Sequence, residues 1–463
     1  MNYDLIVIGS GPGGYVASIR ASQLGMKCLV VERAELGGIC LNWGCIPTKS
    51  LLKSAQVFDY LKHASDYGAF AEGQINADFG VMVSRSREIA DNMSKGIRYL
   101  FKKNKIDIVE GTAKLIGNQK VEVLKNDGSV ETFEAPHIIL ATGASSRQLP
   151  NLQQDGAKII GYRKALTLDK QPETMIVVGS GAIGSEFAYF YNTIGTKVTL
   201  IEYLDNIVPL EDEEVSKQLA RSFKKAGIEV MTGSEVVSVD TSGGKVKALV
   251  RNKKGESQLE ADVVLSAVGI TPNIENIGIE TLGIVTENGR IKVNEFYQTS
   301  VRGIYAIGDI VAGQALAHVA SAEGIICVEE IAGLKPQPLD YNNIPACTYT
   351  SPEVASVGMT EKTAIEKGYK LKIGKFPFTA SGKASAAGQR DGFVKLIFDE
   401  ETNYLLGAHL IGANVTEMIA QLVTARKLNV KGHDLIKAVY PHPTMSEAVM
   451  EAAAAAYGEA IHI

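Results

Sequence analysis

Two cysteines five positions apart, Cys40 and Cys45, stand in the stretch Gly37-Gly38-Ile39-Cys40-Leu41-Asn42-Trp43-Gly44-Cys45-Ile46-Pro47-Thr48-Lys49. On one regular helix, rising ~1.5 Å per residue, their Cα atoms would lie beyond the ~7 Å over which a disulfide can close. A bridge therefore needs a distorted segment between them, and Gly44 and Pro47 make that distortion cheap. A bridge over so short a loop constrains the unfolded chain little. The pair makes poor sense as a stability device and good sense as a redox couple. The alternative, two buried thiols that happen to lie close, gives the flanking glycines and the Ile-Pro-Thr-Lys helix start no purpose.

A second constellation lies near the C-terminus: Tyr440-Pro441-His442-Pro443-Thr444-Met445-Ser446-Glu447. Two prolines pin His442, and Glu447 five positions on is a candidate orienter for an imidazole acid–base. Ser446 is the expected N-cap of the helix that follows. An ordinary surface histidine is the competing reading.

The elements that must position these groups show as a repeated pattern. Asp4-Leu5-Ile6-Val7-Ile8 reads as a buried parallel strand. It runs into Gly9-Ser10-Gly11-Pro12-Gly13-Gly14, a helix, and the strand Lys27 to Val31. Glu32 follows 18 positions after Gly14. This is a βαβ unit with its glycines at the first turn, where backbone can approach a pyrophosphate and the helix N-terminus supplies partial positive charge. The acid stands where a ribose hydroxyl is met. The pattern recurs from Thr174: Gly179, Gly181 and Gly184, then a strand ending at Glu202, again 18 positions after the last glycine. His137 to Gly143 and Val263 to Gly269 are matching strands that end in small residues. Two such sites in one chain mean two dinucleotides, with a redox pair to serve between them.

Between the repeats, Leu51 to about Asn104 reads as helical, with Lys53, Lys62, Arg85 and Arg87 taken mostly as a solvated face. Short strands follow at Ile106 to Glu110, Lys120 to Leu124 and Val130 to Phe133, with a hairpin turn at Asn126-Asp127-Gly128. Gly303 to Asp309 reads as a strand ending in a carboxylate at a turn, and Ala315-Leu316-Ala317-His318 opens a helix. From about Leu339 strands and helices alternate differently, with strands near Phe393 to Phe398 and Leu405 to Leu410 and helices at Val415 to Lys427 and Ser446 to Tyr457.

The chain has 463 residues, enough for about three domains. Its net charge of −5 suggests neither nucleic acid nor a membrane surface as a partner. Five cysteines in so long a chain are not a secreted disulfide scaffold. The N-terminus enters a strand at once with no basic leader, and no apolar run approaches the ~20 residues of a membrane span. The cytoplasm is the expected address, and no metal site is expected.

Taken together these motifs resemble the pyridine nucleotide–disulfide oxidoreductase family over the whole chain. The Cys-Leu-Asn-x-Gly-Cys-Ile-Pro-x-Lys and His-Pro-Thr-x-Ser-Glu strings most resemble its members that reoxidise protein-bound dihydrolipoamide with NAD⁺. The resemblance implies an α/β fold of two Rossmann-like domains, for FAD and NAD, plus a C-terminal α+β dimerisation domain. The implied spans are 1–146 for FAD, 147–270 for NAD, 271–338 returning to the FAD domain, and 339–463 for the interface. The implied partners are a second copy of the chain and lipoyl domains on the E2 component of a 2-oxo-acid dehydrogenase complex, or the glycine-cleavage H protein. By position, Gly9, Gly11, Gly14 and Glu32 would hold FAD, with Thr112, Ala113, Thr142 and Gly143 touching it through backbone. Lys49, paired with Glu186, would sit by the flavin ring. Asp309 would bind the ribityl or pyrophosphate region, and Ala315, Leu316, Ala317 and His318 would close over the ring. Gly179, Gly181, Gly184, Glu202, Val236 and Gly269 would line the NAD site. Cys45 would face the flavin, Cys40 would exchange with substrate, and His442, oriented by Glu447, would be the acid–base. Trp43 departs from the family, which usually has a small aliphatic residue there. Ala315 stands where Met is frequent, Tyr440 replaces a second histidine, and Ile270-Thr271 replace two basic residues.

Two other readings remain at this stage. A glutathione reductase-like enzyme would need basic residues near Glu202 for NADPH, and Tyr203-Leu204-Asp205-Asn206 offers none. A non-catalytic subunit of a large complex would not need Cys40, Cys45 and His442.

Overall fold

The structure, a computed structural model, describes residues 3–70 and 72–463. The chain divides into two compact units: residues 1–51, 80–147 and 270–339 form the first, and 52–79, 148–269 and 340–463 the second.

In the first unit the apolar run Leu5–Ile8 is strand β1, α1 is Pro12–Gln23 and β2 is Cys28–Glu32. β1 and β2 are buried at every position, as strands covered on both faces must be. β1 pairs in parallel with β2 on one side and His137–Leu140 on the other. The full seven-stranded order is Ile304–Ala306, His137–Leu140, β1, β2, Asp107–Gly117, Lys120–Lys125, Val130–Glu134. The last two strands join antiparallel through the expected hairpin, with Gly128 at φ +84°. Ile304–Ala306 pairs in parallel with His137–Leu140 at the edge of this sheet.

The helical stretch after the cysteines is broken where the sequence suggested continuity. A five-residue helix α2 covers Gly38–Asn42, α3 covers Cys45–Lys62, a single 3₁₀ turn covers Ala64–Tyr67, and α4 covers Phe79–Lys103. Gly68 at φ +72° ends the 3₁₀ turn, in a conformation that favours glycine.

In the second unit the pattern repeats as β3 (Thr174–Val178), α5 (Ala182–Thr193) and β4 (Lys197–Ile201), inside a five-stranded parallel sheet. Helix α6 follows at Glu213–Lys225. A separate antiparallel sheet runs Pro345–Thr348, Glu353–Gly358, Leu405–Gly412, Phe393–Asp399, Leu371–Pro377. The helices Val415–Lys427 and Glu447–Ala456 pack their apolar faces into its core, through residues such as Leu422, Val449 and Ala452. No helix among the described residues is long and apolar enough to cross a membrane.

Candidate redox and dinucleotide sites

Helix α2 carries Cys40 and α3 begins at Cys45, so Trp43 and Gly44 form the break that the spacing demanded. Trp43, at φ −137° and ψ 8°, ends α2. A disulfide joins Cys40 and Cys45, with Cα atoms 4.7 Å apart. Gly44 permits this approach: a Cβ there would stand 3.1 Å from the Ile39 carbonyl oxygen and 3.4 Å from the Cys40 Cα. Both cysteines are half-buried. Two of the three remaining cysteines, Cys28 and Cys327, are buried. Burial pushes Cys28 up to about 12 and Cys327 well above its ordinary value, so both stay neutral and inert.

The two glycine turns are built alike. A Cβ on Gly14 would stand 1.9 Å from the Gly9 carbonyl oxygen, and one on Gly184 the same distance from that of Gly179. At Gly11 and Gly181, which cap α1 and α5, a Cβ would meet nothing within 4 Å. No side chain caps either helix. With no side-chain cap, both helix starts leave first-turn N–H groups for a phosphate to take. The acids match as closely. Glu32 Oε2 accepts from the Ser10 amide at 2.8 Å and its hydroxyl at 2.6 Å, and Oε1 from the Ala34 amide at 2.9 Å. Glu202 Oε2 accepts from the Ser180 amide at 2.9 Å and its hydroxyl at 2.6 Å, and Oε1 from the Leu204 amide at 2.9 Å. Both acids are held rigid at the ends of β2 and β4, and the residues present fit two dinucleotides. Ser10 and Ser180 were not singled out from sequence, although the same Gly-Ser-Gly in both repeats was a readable signal.

The other residues expected from the sequence to touch a cofactor lie as follows, each within its own unit. In the first unit, Ala113 is buried and Thr112 exposed on the strand Asp107–Gly117. The Thr142 hydroxyl donates to the Asn273 carbonyl at 2.6 Å, and the Asn273 amide donates to the Gly143 carbonyl at 2.8 Å, tying the two chain crossings together. Asp309 lies in a 3₁₀ turn, Gly308–Ile310. Burial raises its carboxyl, against the pull of Arg290, which donates to the Asp309 and Val311 carbonyls at 2.8 Å each. Ala315 and Leu316 precede the helix Ala317–Ile331, which His318 enters in its first turn, exposed. Lys49 is half-buried in α3. In the second unit, Glu186 is buried and its Oε1 accepts from the Tyr349 amide at 3.0 Å. The Val236 side chain belongs to the core, while its carbonyl accepts from Asn151 Nδ2 at 2.6 Å. Gly269, at φ +109°, has open space about it.

His442 Nδ1 lies 2.8 Å from Glu447 Oε1, and Glu447 Oε2 accepts from the Thr444 amide at 2.8 Å. Partial burial raises the Glu447 carboxyl, but the Thr444 amide and the His442 ring outweigh it and hold the group below its ordinary value. An ionised Glu447 orients the imidazole. The His442 side chain is 78% exposed in the single chain. Ser446 does not cap as expected. It stands at the N-cap with helical dihedrals and no cap bond, and its hydroxyl accepts from Gln421 Nε2 at 3.3 Å. Glu447 itself takes the nearby Thr444 amide.

Lys53, Lys62 and Arg85 are exposed, as a mostly solvated face requires, and Arg87 is the exception. Arg85 Nη1 donates to the Ser50 hydroxyl at 2.8 Å, and half-buried Arg87 stacks on Trp43. Sequence periodicity could not show this, because the contact joins α4 to a turn 44 residues earlier.

Residues 3–324 match the family described as pyridine nucleotide-disulphide oxidoreductase, and residues 344–453 match the dimerisation domain of that family. A dihydrolipoyl dehydrogenase of Rhizobium etli is 46% identical, with 100% of this chain and 99% of the relative covered. One from Chlorobaculum parvum is 48% identical over 98% of this chain and 97% of the relative. Among solved structures, LpdA of Mycobacterium tuberculosis superposes with a TM-score of 0.90 at 27% identity, covering 97% of this chain and 98% of that one. A flavoprotein disulfide reductase of Escherichia coli, induced by HOCl, gives 0.88 at 25% identity, covering 98% and 99%.

Proposed function

This chain belongs to the pyridine nucleotide-disulphide oxidoreductase family, and within it we propose that the protein reoxidises protein-bound dihydrolipoamide to lipoamide with NAD⁺, using FAD as its bound cofactor. The observation that carries the reading is the Cys40–Cys45 disulfide, closed across a helix break at 4.7 Å between Cα atoms in the same unit as a dinucleotide cradle.

The chemistry of the chain's own residues follows. A dithiol substrate is a poor nucleophile until one thiol loses its proton. His442, held by Glu447, takes that proton. The substrate thiolate attacks the Cys40 sulfur, the Cys40–Cys45 bond breaks, and Cys45 leaves as a thiolate. The second substrate thiol then attacks the substrate sulfur of the mixed disulfide. Lipoamide departs with its ring disulfide, and Cys40 and Cys45 stay reduced, holding the two electrons. Bound FAD supplies the two-electron relay between this dithiol and NAD⁺. Gly9, Gly11, Gly14, Glu32 and Asp309 would hold the FAD. Gly179, Gly181, Gly184 and Glu202 hold the NAD⁺. The working form is a cytoplasmic homodimer, and the thiols arrive on the lipoyl domain of an E2 component or on a glycine-cleavage H protein.

A dihydrolipoamide-dependent NADH assay on the purified flavoprotein tests this. Wild-type protein should turn over, and Cys45→Ser should lose at least about a thousandfold in kcat while keeping its FAD, because flavin binding rests on other residues. Near-normal activity in Cys45→Ser, or none in a fully flavin-loaded wild type, contradicts the proposal.

A further inference from the structure

Helix α4 reaches the redox turn with two arginines. Arg85 Nη1 donates to the Ser50 carbonyl at 3.2 Å and its hydroxyl at 2.8 Å, on the helix that begins with Cys45. The Arg87 guanidinium carbon lies 4.1 Å from the centroid of the Trp43 ring, and Nη1 donates to the Asn42 carbonyl at 2.5 Å. Asn42 is the last residue of α2, and it is 2% exposed. Its side-chain Nδ2 donates to the Leu36 and Gly38 carbonyls at 2.9 and 3.0 Å. The Asn42 carbonyl is one of those a helix C-terminus leaves without an intrahelical partner, and a cation there is favourable. Arg87 thus grips Asn42, the last residue of the Cys40 helix, and Trp43, which ends that helix and precedes Gly44. Stacking and a charge-assisted hydrogen bond from one planar guanidinium fix an orientation that a point charge would not.

We propose that Arg87 is a positioning residue of the thiol–disulfide step: by clamping Asn42 and Trp43 it holds the turn between Cys40 and Cys45 in the bridging geometry after the bond opens, and so favours the disulfide over the dithiol. The physical basis is effective concentration. Two thiols on a turn that stays closed meet more often than two on a turn that relaxes, and closure of the bond then costs less ordering. The inference rests on reading Cys40–Cys45 as a redox couple.

The test equilibrates the holoprotein anaerobically with mixtures of dithiothreitol and its cyclic disulfide. In this exchange the protein disulfide gains two electrons and two protons, and dithiothreitol loses them on closing its ring. Acid quenching, alkylation and peptide mass give the dithiol-to-disulfide ratio at Cys40 and Cys45. Arg87→Ala and Trp43→Val should each shift that ratio about five- to thirtyfold toward dithiol. The double variant should shift it no further than the larger single change, because both remove one contact. Arg87→Lys should restore less than half of the shift on a logarithmic scale, and Arg87→Gln replaces Arg87→Ala if the latter fails to fold. A ratio within twofold of wild type in Arg87→Ala, even with a lowered thermal midpoint, overturns the proposal. So do multiplicative single effects or full rescue by lysine. A wild-type bridge that dithiothreitol never reduces would instead refute the redox reading itself.

Discussion

At the residue scale, we propose that Glu202 sets the preference between two nearly identical cofactors. Its carboxylate is 8% exposed and fixed by three donors from Ser180 and Leu204, so it cannot swing away from a ligand beside it. A carboxylate accepts from a ribose 2′-hydroxyl and repels a 2′-phosphate. The ratio of kcat/KM for NAD⁺ over NADP⁺ should therefore be about a hundredfold or more. Glu202→Gln should bring the two values closer, mainly by improving NADP⁺. Comparable values in the wild type contradict the reading. Much of this scale was legible in the sequence, since acid, glycines and cysteines announce themselves by spacing. The donors that lock the acids, and the arginine on Trp43, were not, because each contact forms between segments that only the fold brings together.

At the scale of elements, the C-terminal sheet carries a polar row that no motif announced. Ser356, His409 and Lys395 are register neighbours across three adjacent strands. Lys395 is 1% exposed and reaches Asp212 Oδ1 at 3.0 Å, Glu214 Oε1 at 3.1 Å and Glu361 Oε2 at 2.6 Å. Asp212 caps α6, and Glu211 precedes it, so the start of one helix meets the sheet through buried charge. Glu211 Oε2 is shut off from solvent with no hydrogen-bond partner, and burial pushes this carboxyl up to about 7, with Ser356 pulling down and Asp212 adding to the rise. A carboxyl raised in the folded state contributes stability below its unfolded pKa of about 4.3 and loses that contribution as pH rises through the folded value. Between pH 5 and pH 8 the wild type should thus lose stability on account of Glu211. Glu211→Gln should flatten that loss and gain roughly 1–3 kcal/mol at pH 8, read as the variant-minus-wild-type difference in urea unfolding at the two pH values. An equal difference at both would refute it. The strands near Phe393 and Leu405 were readable here as short apolar runs, and both are buried at every position. The stretch from Leu51 to about Asn104 was read simply as helical, whereas α3 ends at Lys62 and Gly68 closes the 3₁₀ turn that follows.

At the scale of the whole molecule, the repeated βαβ unit of the sequence forms the start of a parallel region in each of two sheets. Its cysteines belong to one compact unit and its histidine to the other. His442 lies in the span that matches the family's dimerisation domain and is 78% exposed in the single chain. We therefore expect it to serve the Cys40–Cys45 pair of a second copy. Co-expression of Cys45→Ser with His442→Ala under different tags tests this. Each homodimer should be inactive. The heterodimer should regain about half of the wild-type activity, because one of its two sites pairs an intact disulfide with an intact histidine. Heterodimers that form yet stay inactive would place His442 in the site of its own chain.

The central claim is that substrate electrons pass through the Cys40–Cys45 bond. One anaerobic turnover tests it most directly: stoichiometric dihydrolipoamide, the holoprotein, no NAD⁺, and an acid quench followed by alkylation and peptide mass. The account predicts one lipoamide formed for each chain that gains alkylated Cys40 and Cys45, with Cys28, Cys327 and Cys347 unchanged. Lipoamide formed with Cys40 and Cys45 bridged at every quench time, the earliest included, would contradict it.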